Sequence, residues 1–500
     1  MKQMRQTRVV AVVLTAIIGL AGSSSCSSSS TSTEGTPSTA TGADGVEAEV
    51  ASFTAAANAR GYVVQDGVPV KTNLNDLYCD GSMWAPLYPN PNSPYISAVL
   101  PQVPGQAPTV ASNGSFRLRE DEAVVVIGET PPPMAYFSFN FHMLQGSLDP
   151  AIGPPILWIP VADPVSSLTL AKTGSTPFNQ PFAVVGTGQA QTLNDVHEML
   201  SAAGLGSATN DQIISPSLFE LGLDEGSDEF IFAMRTAMPE NTDEFNSYMD
   251  GLRKEVRVLR VRPKSADEAD QVQSVLAADP LPVPLQRVSG TGTSELDLTP
   301  TLELLRQRVV DKYPGFTATD LPVDDWFDAP YPGLQLNKVT DLPERDGVAG
   351  ATTDATYLAS GNFTLPEGAF LVAYGPDHKA TGKSTYSSVA VYADADLGAG
   401  LVTVQSPSLQ GSARDYIGDQ PDADKFYAWT FSRAGDAGDG GDTGDHGTQL
   451  PTGTFCAESG RPVDLNTLRV GFRAYAEPET QTHPAKTELL YDRLLMFTPK

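Results

Sequence analysis

Leu144-Gln145-Gly146-Ser147, followed by Ile152-Gly153, returns as Leu409-Gln410-Gly411-Ser412, followed by Ile417-Gly418. Other echoes keep the same order on either side. Trp84 ahead of Ala85-Pro86-Leu87-Tyr88-Pro89 is answered by Trp326 ahead of Ala329-Pro330-Tyr331-Pro332. Ser93-Pro94-Tyr95-Ile96-Ser97-Ala98 is answered by Ala355-Thr356-Tyr357-Leu358-Ala359-Ser360. Val126-Ile127-Gly128 leading to Tyr136-Phe137-Ser138 is answered by Ala373-Tyr374-Gly375 leading to Tyr386-Ser387-Ser388. Each half closes on a strand-like run, Arg257 to Pro263 and Arg493 to Pro499. Internal repetition at this length predicts two copies of one unit. It fixes architecture and leaves activity open.

Local patterns give the class of that unit. Val46–Tyr62 and Leu302–Tyr313 read as the helices that open the two copies, the second with Thr299 as N-cap, Pro300 at N1 and Pro314-Gly315 beyond its end. Short alternating runs read as strands: 123–127, 136–143, 156–161, 182–188, 230–236 and 255–261, then 369–374 and 386–392. A helix at 193–203 starts from Thr192 and stops at Gly204. The expected class is α+β, with two duplicated domains, 46–263 and 297–500, joined by a linker over 264–296. Each is expected to be a mainly antiparallel sheet with helices on one face. The second copy shows no sequence counterpart of 182–204.

Lys2, Arg5 and Arg8 precede an apolar run from Val9 to Leu20, too short for a membrane span, and Cys26 follows. Residues 1–26 resemble a bacterial lipoprotein signal, which implies that Cys26 is lipidated and anchors the chain outside the cytoplasm. Ser23-Ser24-Ser25 departs from the Leu-containing consensus, so cleavage after Ser23 with release of the body is the competing expectation. Residues 27–45, rich in Ser, Thr and Gly, read as a flexible tether.

The 500 residues carry a formal charge of −28, which repels nucleic acid and anionic headgroups. Apart from Cys26 the cysteines are Cys79 and Cys456, one per copy. In an oxidising compartment they either pair or remain two buried thiols. Asp436, Asp439, Asp442 and Asp445, three apart in a Gly-Asp-x run, could wrap Ca²⁺, although the spacing is not that of an EF-hand and a solvated loop is the plainer reading. No other cofactor is expected.

Tyr136-Phe137-Ser138-Phe139-Asn140-Phe141-His142 alternates strictly, so Tyr136, Ser138, Asn140 and His142 share one strand face. They are candidates to line a ligand site, with His142 as a base. Gly375 to Ser384 gathers His378, Lys379, Lys383 and Ser384, with Tyr386 just beyond. The Gly spacing is wrong for a P-loop, which leaves an anion site or a polar hairpin. Two function classes follow: a binding or surface-interaction protein of the cell envelope, taking an unidentified small-molecule or surface ligand, and a hydrolase-like enzyme using His142 or His378 as general base.

Overall fold

The strict alternation of Tyr136–His142 makes a strand with two unlike faces, and both are buried. Phe137, Phe139 and Phe141 enter an apolar core, while Tyr136 on the opposite face packs with Tyr386 and Tyr475 from the other half. A sheet covered on both faces needs a further layer on each side. That requirement organises the molecule.

The computed structural model describes residues 43–81, 86–109, 114–145, 157–264, 280–326, 352–393, 398–433, 445–452, 456, 463 and 465–500. The first half runs α1 (Ala43–Ala59), β1 (Tyr62–Asp66), β2 (Val68–Thr72), α2 (Leu74–Cys79), β3 (Tyr95–Val99), β4 (Ser115–Phe116), β5 (Ala123–Glu129), β6 (Met134–Gln145), β7 (Leu157–Pro160), β8 (Val165–Ser166), β9 (Pro181–Thr187), α3 (Ala190–Ala202), β10 (Thr209–Ile213), β11 (Glu229–Pro239), α4 (Thr242–Asp250), α5 (Leu252–Glu255) and β12 (Val256–Pro263). The second runs α6 (Thr299–Lys312), β13 (Phe316–Leu321), β14 (Val323–Asp325), β15 (Ala355–Ser360), β16 (Phe363–Thr364), β17 (Phe370–Pro376), β18 (Tyr386–Ala393), β19 (Ala399–Gln405), α7 (Arg414–Ile417), β20 (Phe426–Arg433), β21 (Gly447–Leu450), β22 (Thr467–Tyr475) and β23 (Arg493–Pro499).

The fold is mostly β, with few helices and four sheets. In the first half the strand orders are β1-β12-β5-β9-β10 and β2-β3-β11-β6-β7. In the second they are β13-β23-β17-β20-β21 and β14-β15-β22-β18-β19. The two lists follow one plan. Even the parallel pair at the end of the first sheet, β9 with β10, recurs as β20 with β21.

Two cores explain the layering in each half. Val124, Val126, Phe182, Val184 and Val258 of the first sheet meet Phe139, Phe141 and Phe232 of the second. On the outer face of the first sheet, Val125, Ile127 and Val185 receive Val50 and Phe53 of α1 and Val196 and Leu200 of α3. The second half repeats this, with Leu371, Val391 and Phe472 between its sheets and Leu302, Leu305 and Val309 of α6 beneath Val372 and Phe497. The second sheets of the two halves then face each other, and residues 41–500 form one unit by their contacts.

The structure corrects several expectations. Each half has two stacked sheets, not one, because β5 and β6, and likewise β17 and β18, lie in different sheets. Residues 377–385 therefore cross between sheets and are not a hairpin. The strand at 182–188 does have a counterpart, β20, whose sequence no longer betrays it. The opening Leu-Gln-Gly-Ser motifs do not correspond: Leu144 and Gln145 end β6, whereas Leu409 to Ser412 follow β19, the counterpart of β7. Helix α3 starts earlier, with Gln189 as N-cap, and Thr192 instead donates to Gln189 Oε1 at 2.7 Å. Helix α6 begins at Thr299 itself, with Leu298 at the N-cap. Trp326 is half-buried and sits edge-on to Tyr88, centroids 4.6 Å apart. Trp84 and residues 266–278 of the expected linker lie outside the described residues.

Candidate functional site

Strand pairing sets the geometry of the face between the halves. Across β3, β11 and β6 the register aligns Tyr95, Arg235 and Ser138. Across β15, β22 and β18 it aligns Tyr357, Arg473 and Ser388. One Tyr-Arg-Ser row thus recurs at equivalent places on two sheets that look at each other. Sequence reading marked Tyr95, Tyr357, Ser138 and Ser388 as echoes. It missed both arginines, because β11 and β22 share no obvious motif.

Each arginine reaches into the opposite half. Arg235 Nη2 donates to Asp354 Oδ1 at 2.6 Å, while its Nε donates to Ser138 Oγ and its Nη2 to the Tyr136 hydroxyl, both at 3.2 Å. Its guanidinium lies 4.9 Å from the Tyr475 ring centroid. Burial opposes ionisation of the Asp354 carboxyl and raises its pKa. The rise reaches about 8, opposed by a backbone hydrogen bond, while the guanidinium only 2.6 Å away is the geometric reason to hold the carboxyl ionised at neutral pH. Arg473 Nη2 donates to the Tyr88 carbonyl at 2.7 Å and its Nη1 to the Tyr392 hydroxyl. Asn90 Nδ2 donates to the Tyr386 hydroxyl at 2.7 Å.

The predicted site residues divide into two groups. Tyr136 and Tyr386 meet through Tyr475, with ring centroids 5.4 and 5.0 Å from it. Ser138, Asn140 and His142 continue the Tyr136 row, all buried. His142 Nε2 lies 3.3 Å from Asn140 Nδ2, so that nitrogen accepts and the proton sits on Nδ1. Burial first, and Arg235 second, push the His142 pKa down to about 3.

His378, Lys383 and Ser384 belong elsewhere. His378 is buried with Nδ1 3.0 Å from both Glu295 carboxylate oxygens and Nε2 3.3 Å from Asp492 Oδ2. Burial opposes its charge, but the two carboxylates outweigh it and hold its pKa well above 6.5. Lys383 Nζ sits 2.6 Å from Glu477 Oε1 and from Glu488 Oε2. Glu488 also accepts from the Thr291 and Gly292 amides, and so clamps the end of the linker. Ser384 is buried nearby. A cavity of about 490 Å³ adjoins this cluster, with Leu296, Leu321, Val323, Leu490, Leu494 and Asp492 in its wall.

Among the described residues no group of three His, Cys, Asp or Glu side chains could hold a metal. Asp436, Asp439 and Asp442 lie outside the described residues, as does Cys26; Asp445 is exposed. Cys79 and Cys456 form a disulfide with Cα atoms 5.0 Å apart.

The two histidines give stability opposite pH dependences. Native His142 resists protonation that the unfolded chain accepts near 6.5, so its contribution is full above that pH and falls as pH drops toward 3, by up to about 1.4 kcal/mol per unit. Native His378 keeps a proton that the unfolded chain sheds, so its contribution is full below about 6.5 and is lost as pH rises through its elevated native pKa. Urea unfolding of His142→Gln from pH 4 to 7 should show a flatter acid limb than the parent; an unchanged limb would contradict the assignment.

No family model matches the chain. No curated protein matches it. Among solved structures it is similar to an uncharacterized protein from Burkholderia cenocepacia, at 12% identity and TM-score 0.34, covering 90% of this chain and 87% of that one. It is also similar to the VPA0106 protein from Vibrio parahaemolyticus, at 13% identity and TM-score 0.32, covering 85% and 99%. Neither likeness bears on activity.

Proposed function

We propose that the chain is exported, is anchored by a lipidated Cys26, and works in the cell envelope as a binding or surface-interaction protein built from two duplicated halves. The observation that carries export is the Cys79–Cys456 disulfide, which joins the halves across 377 positions and belongs to an oxidising compartment. Duplication is supported by the common strand order and by the two register-matched Tyr-Arg-Ser rows. Among the described residues no helix is long and apolar enough to cross a membrane, so attachment falls to the N-terminal segment.

The chemistry favours binding over hydrolysis. His378, already protonated between two carboxylates, has no free nitrogen to accept a proton near neutral pH. His142 spends its accepting nitrogen on Asn140, not on a hydroxyl nucleophile. The test is on protein recovered from the native host membrane. Thiol alkylation and mass spectrometry should find Cys79 and Cys456 blocked until reduction, and palmitate label should enter the parent but not Cys26→Ala. Free thiols at 79 and 456 would overturn export, and an unlabelled parent would overturn anchoring.

A further inference from the structure

The two arginines of the matched rows are unequally served. Arg235 has a carboxylate from the other half, Asp354, at 2.6 Å. Asp354 stands three residues before Tyr357, and three residues before the matching Tyr95 stands Asn92. Asn92 is exposed, and its Nδ2 donates to the Thr403 carbonyl at 2.9 Å. Arg473, only 4% exposed, receives a carbonyl and a phenol in place of an acid. Among the described residues no carboxylate lies within ion-pair distance of it.

Two further features mark the same spot. Ser388, directly across the strand pair from Arg473, is 3% exposed; its Oγ lies against the Tyr386 hydroxyl but completes no hydrogen bond of ordinary geometry, whereas Ser138 accepts from Arg235. A second guanidinium, Arg469, lies 5.5 Å from the Tyr88 ring and 5.8 Å from the Trp326 ring; Arg473 is also 5.8 Å from the Trp326 ring. A buried cation without its counter-charge is costly, and a carboxylate is the group that relieves the same cost at Arg235. Aromatic faces lessen that cost without removing the charge.

We propose that Arg473 and Ser388 form a binding site for a small monovalent anion of carboxylate chemistry, in the role that the Asp354 side chain plays at Arg235. The ligand's carboxylate accepts from the guanidinium and from the Ser388 hydroxyl. This goes beyond the envelope-binding reading and does not depend on export or lipidation.

Thermal melting of the dialysed full chain, with sodium formate and sodium chloride titrated separately, tests it on the parent, Ser388→Ala and Asn92→Asp. The parent's melting temperature should rise saturably by a few degrees in formate, as ligand linkage requires. Ser388→Ala should need roughly tenfold more formate for half of that rise, the loss expected from one charge-assisted hydrogen bond. Asn92→Asp, which gives up the amide bond to Thr403 and puts a carboxylate at the position matched to Asp354, should melt higher without formate and gain nothing from it. Equal shifts in all three proteins, or none in the parent, would overturn the site. A response to chloride with none to formate would overturn its carboxylate assignment.

Discussion

Asp354→Ala should cost about 3–5 kcal/mol of unfolding free energy, because it leaves the Arg235 guanidinium buried without its counter-charge. Both partners are almost fully enclosed, with side-chain exposures of 7% and 3%. Water cannot replace the lost carboxylate. Thr352, which donates to the same oxygen at 2.7 Å, loses its acceptor as well. Asp354→Asn keeps an acceptor oxygen in place and should lose less. Urea denaturation at pH 7 measures both, and a loss below about 1 kcal/mol for the Ala variant would mean that the pair is screened by solvent after all.

Cys79→Ser should be comparably damaging, about 3–5 kcal/mol on the chain-entropy estimate for a very long loop. The bridge is not alone in holding the halves together there. Asn75 on α2 donates to the Gly400 carbonyl at 3.0 Å and accepts from the Gly400 amide at 3.2 Å. Tyr78 packs against Ala393 and Ala399. This first-half segment covers β19, the edge strand of its sheet, and so shields a row of backbone groups that would otherwise invite pairing with other chains. The loss should appear in denaturant melts of the parent under reducing conditions and should be absent when the variant is treated the same way. A reductant effect in both proteins would assign it to something other than the bridge.

Local periodicity made the elements legible, and tertiary pairing hid their arrangement. The alternation in Tyr136–His142 and the capping signals near α3 and α6 placed strands and helices to within a few residues. Alternation cannot say which sheet a strand joins, so a stacked pair of sheets read as one. The echo of Tyr95 in Tyr357 proved structural, since both lie beside an arginine in the same register. The Leu-Gln-Gly-Ser echo did not, because four residues in turn-like surroundings recur easily. Of the site, the Tyr136 row was legible as a polar face. Arg235 and Arg473 were not, for their importance comes from partners more than a hundred residues away. His378 looked like a candidate base until Glu295 and Asp492, distant in sequence, were seen on both sides of its ring.

A double-mutant cycle on Arg235 and Asp354 tests the clasp between the halves most directly. Arg235→Met, Asp354→Leu and the double variant would be compared with the parent by urea denaturation at pH 7. The account predicts two costly single changes, a double variant close to the parent, and a coupling of about 1.5–3 kcal/mol. Effects that add to within about 0.5 kcal/mol would mean the two side chains do not meet, and would contradict a fold in which these sheets face each other.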